Sequence, residues 1–325
     1  MKMKRLFSVL LTALLLLESV GIALAAAPTT MQEKLTAVEK AAYGQAQTGA
    51  LLDRLNKLEK DFSSSNPKSS VMDRVDALYA LMLLNETGPS LVTQMNAVEW
   101  AITRQVSMES IQKRVSDMEI TMQGKPTEGS YRSRIDTLAS YAFGSADIPL
   151  SAGKVPANTL VRILTVTPIN AKNLKAGDQI EFQAAEDVVE GGRLLYAKGA
   201  PGVGVVKKVK QAQNFGRDAE VDIDFQSLRA IDGTETAMLL GEESKKKMES
   251  LAMAAGASLA GIALLGPFGV IGGIFVKGKN IDLPAGTELY IQTKDETSLY
   301  GLNTSLHTST DLVSASADVS TAEVK

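Results

Sequence analysis

The sequence predicts an α+β chain of more than one domain. An all-α array of six helical repeats comes first, followed by a small β-barrel or β-sandwich domain carrying an apolar, glycine-rich helical hairpin. Three observations predict it. Apolar residues recur every twenty positions between residues 31 and 144, they alternate every second position after residue 155, and residues 251–276 hold no charge.

The chain of 325 residues opens with Lys2, Lys4 and Arg5, an apolar run from Leu6 to Leu17, and the small-residue stretch Ala23-Leu24-Ala25-Ala26-Ala27. That is the order of a secretory leader, 1–27, and cleavage after Ala25 or Ala27 fits it. The expected destination is the periplasm or the outer-membrane surface, with secretion as the alternative. The chain has no cysteine, so neither a disulfide nor an acylated cysteine is expected. Removing the leader takes three of 34 basic and one of 37 acidic residues, leaving a net charge of −5. Nothing in that balance recruits nucleic acid, which asks for clustered positive charge.

From 31 to 144 the blocks begin at Met31, Leu51, Val71, Leu91, Ile111 and Tyr131. Each repeats apolar residues at its fifth, eighth and twelfth positions, as in Leu35, Val38 and Ala42. The spacing 4, 3, 4 lines one face of a helix about three turns long. Ser70, Ser90, Ser110 and Ser130 stand where an N-cap belongs. Glycine or proline ends every block but the fourth, whose join across 103–110 carries no breaker. Twenty residues turn a helix by roughly 200° beyond whole turns, so a single rod could not keep one seam. The chain must bend at each block into a short solenoid or a bundle. The fourth positions include Arg54, Arg74, Arg114 and Arg134, which read as a partner-binding ridge or as solvated flanks of the stripe. Trp100, the only tryptophan, lies off the stripe and reads as a partner anchor or as a side-packing residue.

Residues 145–154 read as a linker. From 155 to 293 the period is two: Val221, Ile223 and Phe225 point one way, and Glu220, Asp222 and Asp224 the other. PANTLVRILT at 156–165 echoes PAGTELYIQT at 284–293, and KAGDQIEFQ at 175–183 is a looser copy. The two clear copies bracket the domain, so its first and last strands are expected to be neighbours that close it. Residues 294–325, rich in Ser, Thr and Ala, are expected to be disordered.

The order PANT, then DVVEGGRLLYAKGAPGVGVV (187–206), then GRDAEVDIDFQSLRAIDG (216–233) resembles the β-domain of TrbI-type proteins, which build the outer-membrane end of type IV secretion and conjugation channels. The resemblance covers about 155–293 and rests mostly on turn residues. It implies a β-domain fold, an envelope setting and an apolar helical element after those strands. The cleavable leader and the helical array depart from the family, which keeps an inner-membrane helix and a Pro-rich linker, so secretion itself is not carried over.

The uncharged residues 251–276 are more than the roughly 20 a spanning helix needs. Gly266-Pro267-Phe268-Gly269 interrupts them, so a hairpin is expected, turning at Pro267 and returning to Val276. Gly256, Gly261, Gly269 and Gly273 lie four residues after or before another small residue, which lets helices approach closely in lipid or in a ring of like chains. Lys245, Lys246 and Lys247 read as a solvated charge run or as a contact for anionic headgroups.

Enzyme chemistry finds no foothold. The single histidine, His307, falls in the expected loose tail, no phosphate-binding glycine motif occurs, and Gly202-Val203-Gly204 lacks a following helix. Asp222 and Asp224 share a face and are the one carboxylate pair to consider. No cofactor, metal or small-molecule substrate is expected. The sequence reads as an exported, non-catalytic envelope assembly protein, homo-oligomeric, with membrane or envelope proteins as partners. The alternative is a soluble periplasmic or secreted binding module whose hairpin is buried in its own fold.

Overall fold

The computed structural model describes residues 27–62, 69–212, 219–254, 274–278 and 281–304. The leader before Ala27, Ala25 included, and the glycines and proline of the apolar stretch from Gly256 to Gly273 lie outside them.

Six helices begin on the six block starts: α1 (Met31–Tyr43), α2 (Leu51–Phe62), α3 (Val71–Leu83), α4 (Leu91–Thr103), α5 (Ile111–Gln123) and α6 (Tyr131–Phe143). Caps set those boundaries. The hydroxyls of Thr30, Ser70, Ser90, Ser110 and Ser130 each accept a backbone N–H from the first turn, worth about 1 kcal/mol apiece. At α1, Glu33 completes a reciprocal box with Thr30. The fourth block stops without glycine because Arg104 itself takes the left-handed conformation, φ 60°, and lays its guanidinium 4.5 Å from the centre of the Trp100 ring.

The apolar stripes of all six helices meet in one buried cluster. Helices two apart pack most closely, α1 on α3 and α4 on α6, while α1 also reaches α5 and α2 reaches α6. Phe62 and Tyr131 join the last pair, ring centres 5.3 Å apart. The result is a bundle rather than an open solenoid. The stripe weakens at its far end, where Met122 at a twelfth position is 45% exposed.

The strands are β1 (Leu150–Val155), β2 (Leu160–Thr165), β3 (Ile169–Asn170), β4 (Gln179–Ala184), β5 (Val188–Glu190), β6 (Arg193–Tyr196), β7 (Pro201–Lys210), β8 (Ala219–Arg229) and β9 (Glu235–Leu239). Helix α7 (Glu242–Ala254) follows, then β10 (Ile274–Gly278), β11 (Asp282–Leu283), β12 (Glu288–Thr293) and β13 (Thr297–Asn303). Six of them close a barrel in the order β8-β7-β4-β2-β12-β9, with β9 returning to β8. A second sheet, β1-β13-β6-β5, lies outside it. Val221, Ile223 and Phe225 point into the barrel core as their alternation required.

The sequence echo has a structural cause. The two copies are β2 and β12, paired antiparallel from Leu160↔Gln292 to Leu164↔Glu288. Each copy caps the end of the other. Thr165 Oγ1 donates to Pro284 O and Thr293 Oγ1 to Pro156 O, while Thr287 N donates to Thr165 Oγ1 and Thr159 N to Thr293 Oγ1. Asn158 (φ 66°) and Gly286 (φ 84°) occupy equivalent left-handed turn positions, which the sequence meets with the two residue types that tolerate them best.

Four expectations need correction. Residues 150–155 of the supposed linker form β1, and residues 297–303 of the supposed disordered tail form β13. These two pair in register from Leu150↔Leu302 to Val155↔Thr297, so the two ends of the strand-rich region are tied together. The neighbours β2 and β12 are therefore not the first and last strands. Residues 274–276, expected in the helical return of the hairpin, belong to β10, paired with β8 from Ile274↔Ile223 to Gly278↔Ala219. Gly202 and Gly204 lie within β7, as their strand-like run suggested, and serve packing. A Cβ on Gly202 would fall 2.2 Å from the Phe182 ring, and one on Gly204 2.9 Å from Asp224 O.

Candidate functional site

The arginine row is neither an exposed ridge nor solvated. Arg54, Arg74, Arg114 and Arg134 each reach back fifteen residues to Glu39, Glu59, Glu99 and Glu119 through both Nε and Nη2, at 2.6–2.9 Å. Three of these carboxylates also accept a backbone N–H eight residues on, from Gln47, Ser107 and Thr127. One glutamate thus fastens its own loop and the following helix. Burial pulls the Arg114 guanidinium below its ordinary pKa despite Glu99. Hydrogen bonding to the partner glutamate raises the other three. Burial pushes the Glu119 carboxyl up, and hydrogen bonds from Arg134 and Thr127 outweigh it, holding the group below its usual range.

The clamp is missing at one joint. Tyr79 and Gln94 stand where the glutamate and arginine between α3 and α4 would be. There the bundle is fastened to the barrel instead. Asn85 Nδ2 and Thr93 Oγ1 each lie 2.9 Å from the carbonyl oxygen of Asp232 in the β8–β9 turn, and Asn96 Nδ2 donates to Ile231 O at 2.8 Å. The Asp232 carboxylate accepts from Thr234 N and Tyr300 N, and its burial raises its pKa. Trp100 completes the junction: 5% exposed, it packs with Ala97, Leu194, Ala197, Ile231 and Leu302 and donates from Nε1 to Asp187 Oδ2 at 3.1 Å. The tryptophan side-packs on the β-region.

Above this junction opens a cleft of about 640 Å³. The unclamped α3–α4 loop forms one wall, the α4–α5 loop another, and residues 197–201 with 229–234 the floor. No short sequence motif announces it, because it is assembled from segments far apart in the chain.

The second feature is the root of the apolar stretch. On the side of β8 away from β7, residues 227–229 pair with β9 and residues 219–223 with β10. Helix α7 packs on β12 beside this seam. Gln292, 3% exposed, fastens it: Oε1 accepts from Ser244 N and Ser244 Oγ at 3.0 Å each, and Nε2 donates to Asn158 Oδ1. Gly241 leaves the room, since a Cβ there would lie 2.4 Å from the Gln292 amide. The lysine triplet already has partners within the chain. Lys245 pairs with Glu242 and Lys246 with Glu243, and Lys247 stands 5.9 Å from the Tyr290 ring centre.

Asp222 and Asp224 do share the outer face of β8. Asp224 pairs with Lys207 at 3.1 Å. Asp222 Oδ1 is buried without a hydrogen-bond partner among the described residues, and burial raises its pKa. Among those residues no three His, Cys, Asp or Glu side chains gather as a metal site, and no helix is long and apolar enough to cross a membrane.

No family model and no curated protein matches this chain. Among solved structures, ComB10 of the Com type IV secretion system of Helicobacter pylori is similar at a TM-score of 0.25 and 14% identity, covering 44% of this chain and 88% of that one. The likeness to a type IV secretion system protein is a coarse one.

Proposed function

We propose that this chain is an exported, non-catalytic scaffold of the cell envelope, held by its apolar segment in a membrane or among like copies. One observation carries the reading: both ends of that segment are rooted on the barrel wall. Helix α7 passes Gln292 at its first turn and Tyr290 next, so it runs away from the bundle. The return strand β10 pairs with residues 219–223, the end of β8 remote from the bundle contact at 230–234. At about 3.3 Å per residue the two ends of β8 are some 30 Å apart. A membrane gripped at one end leaves the helices free in the aqueous phase at the other. The leader-like N-terminus and the resemblance of residues 187–233 to TrbI-type β-domains support the envelope setting.

Cell fractionation tests it. The mature chain should stay in the membrane pellet through a high-salt wash, and replacing Gly261 and Gly269 by leucine should change its size on a sizing column. Recovery as a soluble monomer favours the alternative, a periplasmic or secreted module that packs the segment within its own fold.

A further inference from the structure

We propose that the cleft between the bundle and the barrel docks a short apolar segment of a partner protein, flanked by basic residues. The site does not depend on how the apolar stretch 251–276 is used. Its volume, about 640 Å³, falls in the range of built binding pockets. Its walls present Leu83, Leu84, Val92 and Val106, and over them Met108 is 55% exposed, an adaptable side chain of the kind binding surfaces use.

Charge decides the partner. Arg114 is occupied by Glu99 and Arg229 by Glu235 at 2.6 Å, so the two cations of the lining are neutralised within the chain. Glu86 and Glu109, one on each loop beside the cleft, are exposed and form no ion pair among the described residues. The nearby Lys113 ammonium feels Glu109 but makes its salt bridge with Asp117, at 2.6 Å. Two exposed carboxylates held in no salt bridge among the described residues, flanking an apolar trough, select an occupant with an apolar middle and cationic ends.

Trp100 is the only tryptophan and packs with Ala197, Ile231 and Val106, which also line the cleft. Its fluorescence can therefore report binding to the full mature chain. The probe is the capped hexapeptide Lys-Leu-Val-Ala-Leu-Lys, compared with the same peptide carrying glutamate at both ends. The basic peptide should bind at least roughly tenfold more tightly, with the difference shrinking as salt is raised. A Glu86→Lys/Glu109→Lys variant, shown folded by circular dichroism, should reverse the preference. Equal affinities, no binding of either peptide, or a preference that survives the charge swap would overturn the assignment. So would a Met108→Lys variant that changes the oligomeric size of the chain, because the occupant would then be a second copy.

Discussion

Replacing Arg114 by alanine should lower stability by about 3–5 kcal/mol, because it leaves the Glu99 carboxylate buried without its counter-charge. Arg114 is the most enclosed of the four clamping arginines, with 5% of its side chain exposed against 9% for Glu99. Its Nη2 also donates to Asn96 Oδ1 at 2.8 Å, and Asn96 in turn holds Ile231. The loss therefore reaches the bundle–barrel contact. The double variant Glu99→Leu/Arg114→Met should recover most of it, since apolar side chains of similar volume replace a buried pair at little or no cost. Urea midpoints of the wild type, both single variants and the double variant form the cycle. A single variant costing under about 1 kcal/mol would mean that the pair behaves as a surface bridge.

The same clamps set an acid limit. Glu119 has a folded-state pKa below its ordinary value, so its contribution is present in full above the unfolded pKa. It is lost as pH falls through the folded one. Stability should drop on acidification, and the gap between wild type and Glu119→Gln should close with it.

Truncating Trp100 to alanine should have the second large effect, about 3–5 kcal/mol for a buried aromatic. It removes the largest side chain from the cluster that joins the two regions, together with its hydrogen bond to Asp187. The bundle core and the barrel core are otherwise separate clusters. Calorimetry should therefore show one transition in the wild type resolve into two in the variant. A single transition moved by less than about 2 °C would remove Trp100 from the coupling.

The bundle was largely legible because a twenty-residue period states both helix length and bend, and the serine caps mark each start. The clamps were missed since the glutamate and its arginine lie on successive helices, and the period within one helix says nothing of a contact across the bend. The signal was nonetheless present, in the columns Glu39, Glu59, Glu99, Glu119 and Arg54, Arg74, Arg114, Arg134. The barrel was legible through alternation and through the PANT/PAGT echo. Strand β1, Leu-Ser-Ala-Gly-Lys-Val, has no alternation to betray it, and its partner β13 begins after residue 296 in a stretch whose composition suggested disorder. Strand β10 was hidden by its place at the end of an apolar run. The cleft could not be read at all, because proximity across the chain is a property of the fold.

Under the proposed function the apolar segment holds the chain in a bilayer or among its copies. The most direct measurement replaces residues 255–273 by a glycine–serine linker of equal length and follows the processed protein through membrane flotation and size-exclusion chromatography. The wild type should float with membranes or elute as a large assembly. The linker variant should keep its bundle–barrel transition, and leave both fractions for that of a soluble single chain. A linker variant that stays with the membranes at its original size would rule out anchoring by this segment, and so would one that unfolds, since the segment would then belong to the chain's own core.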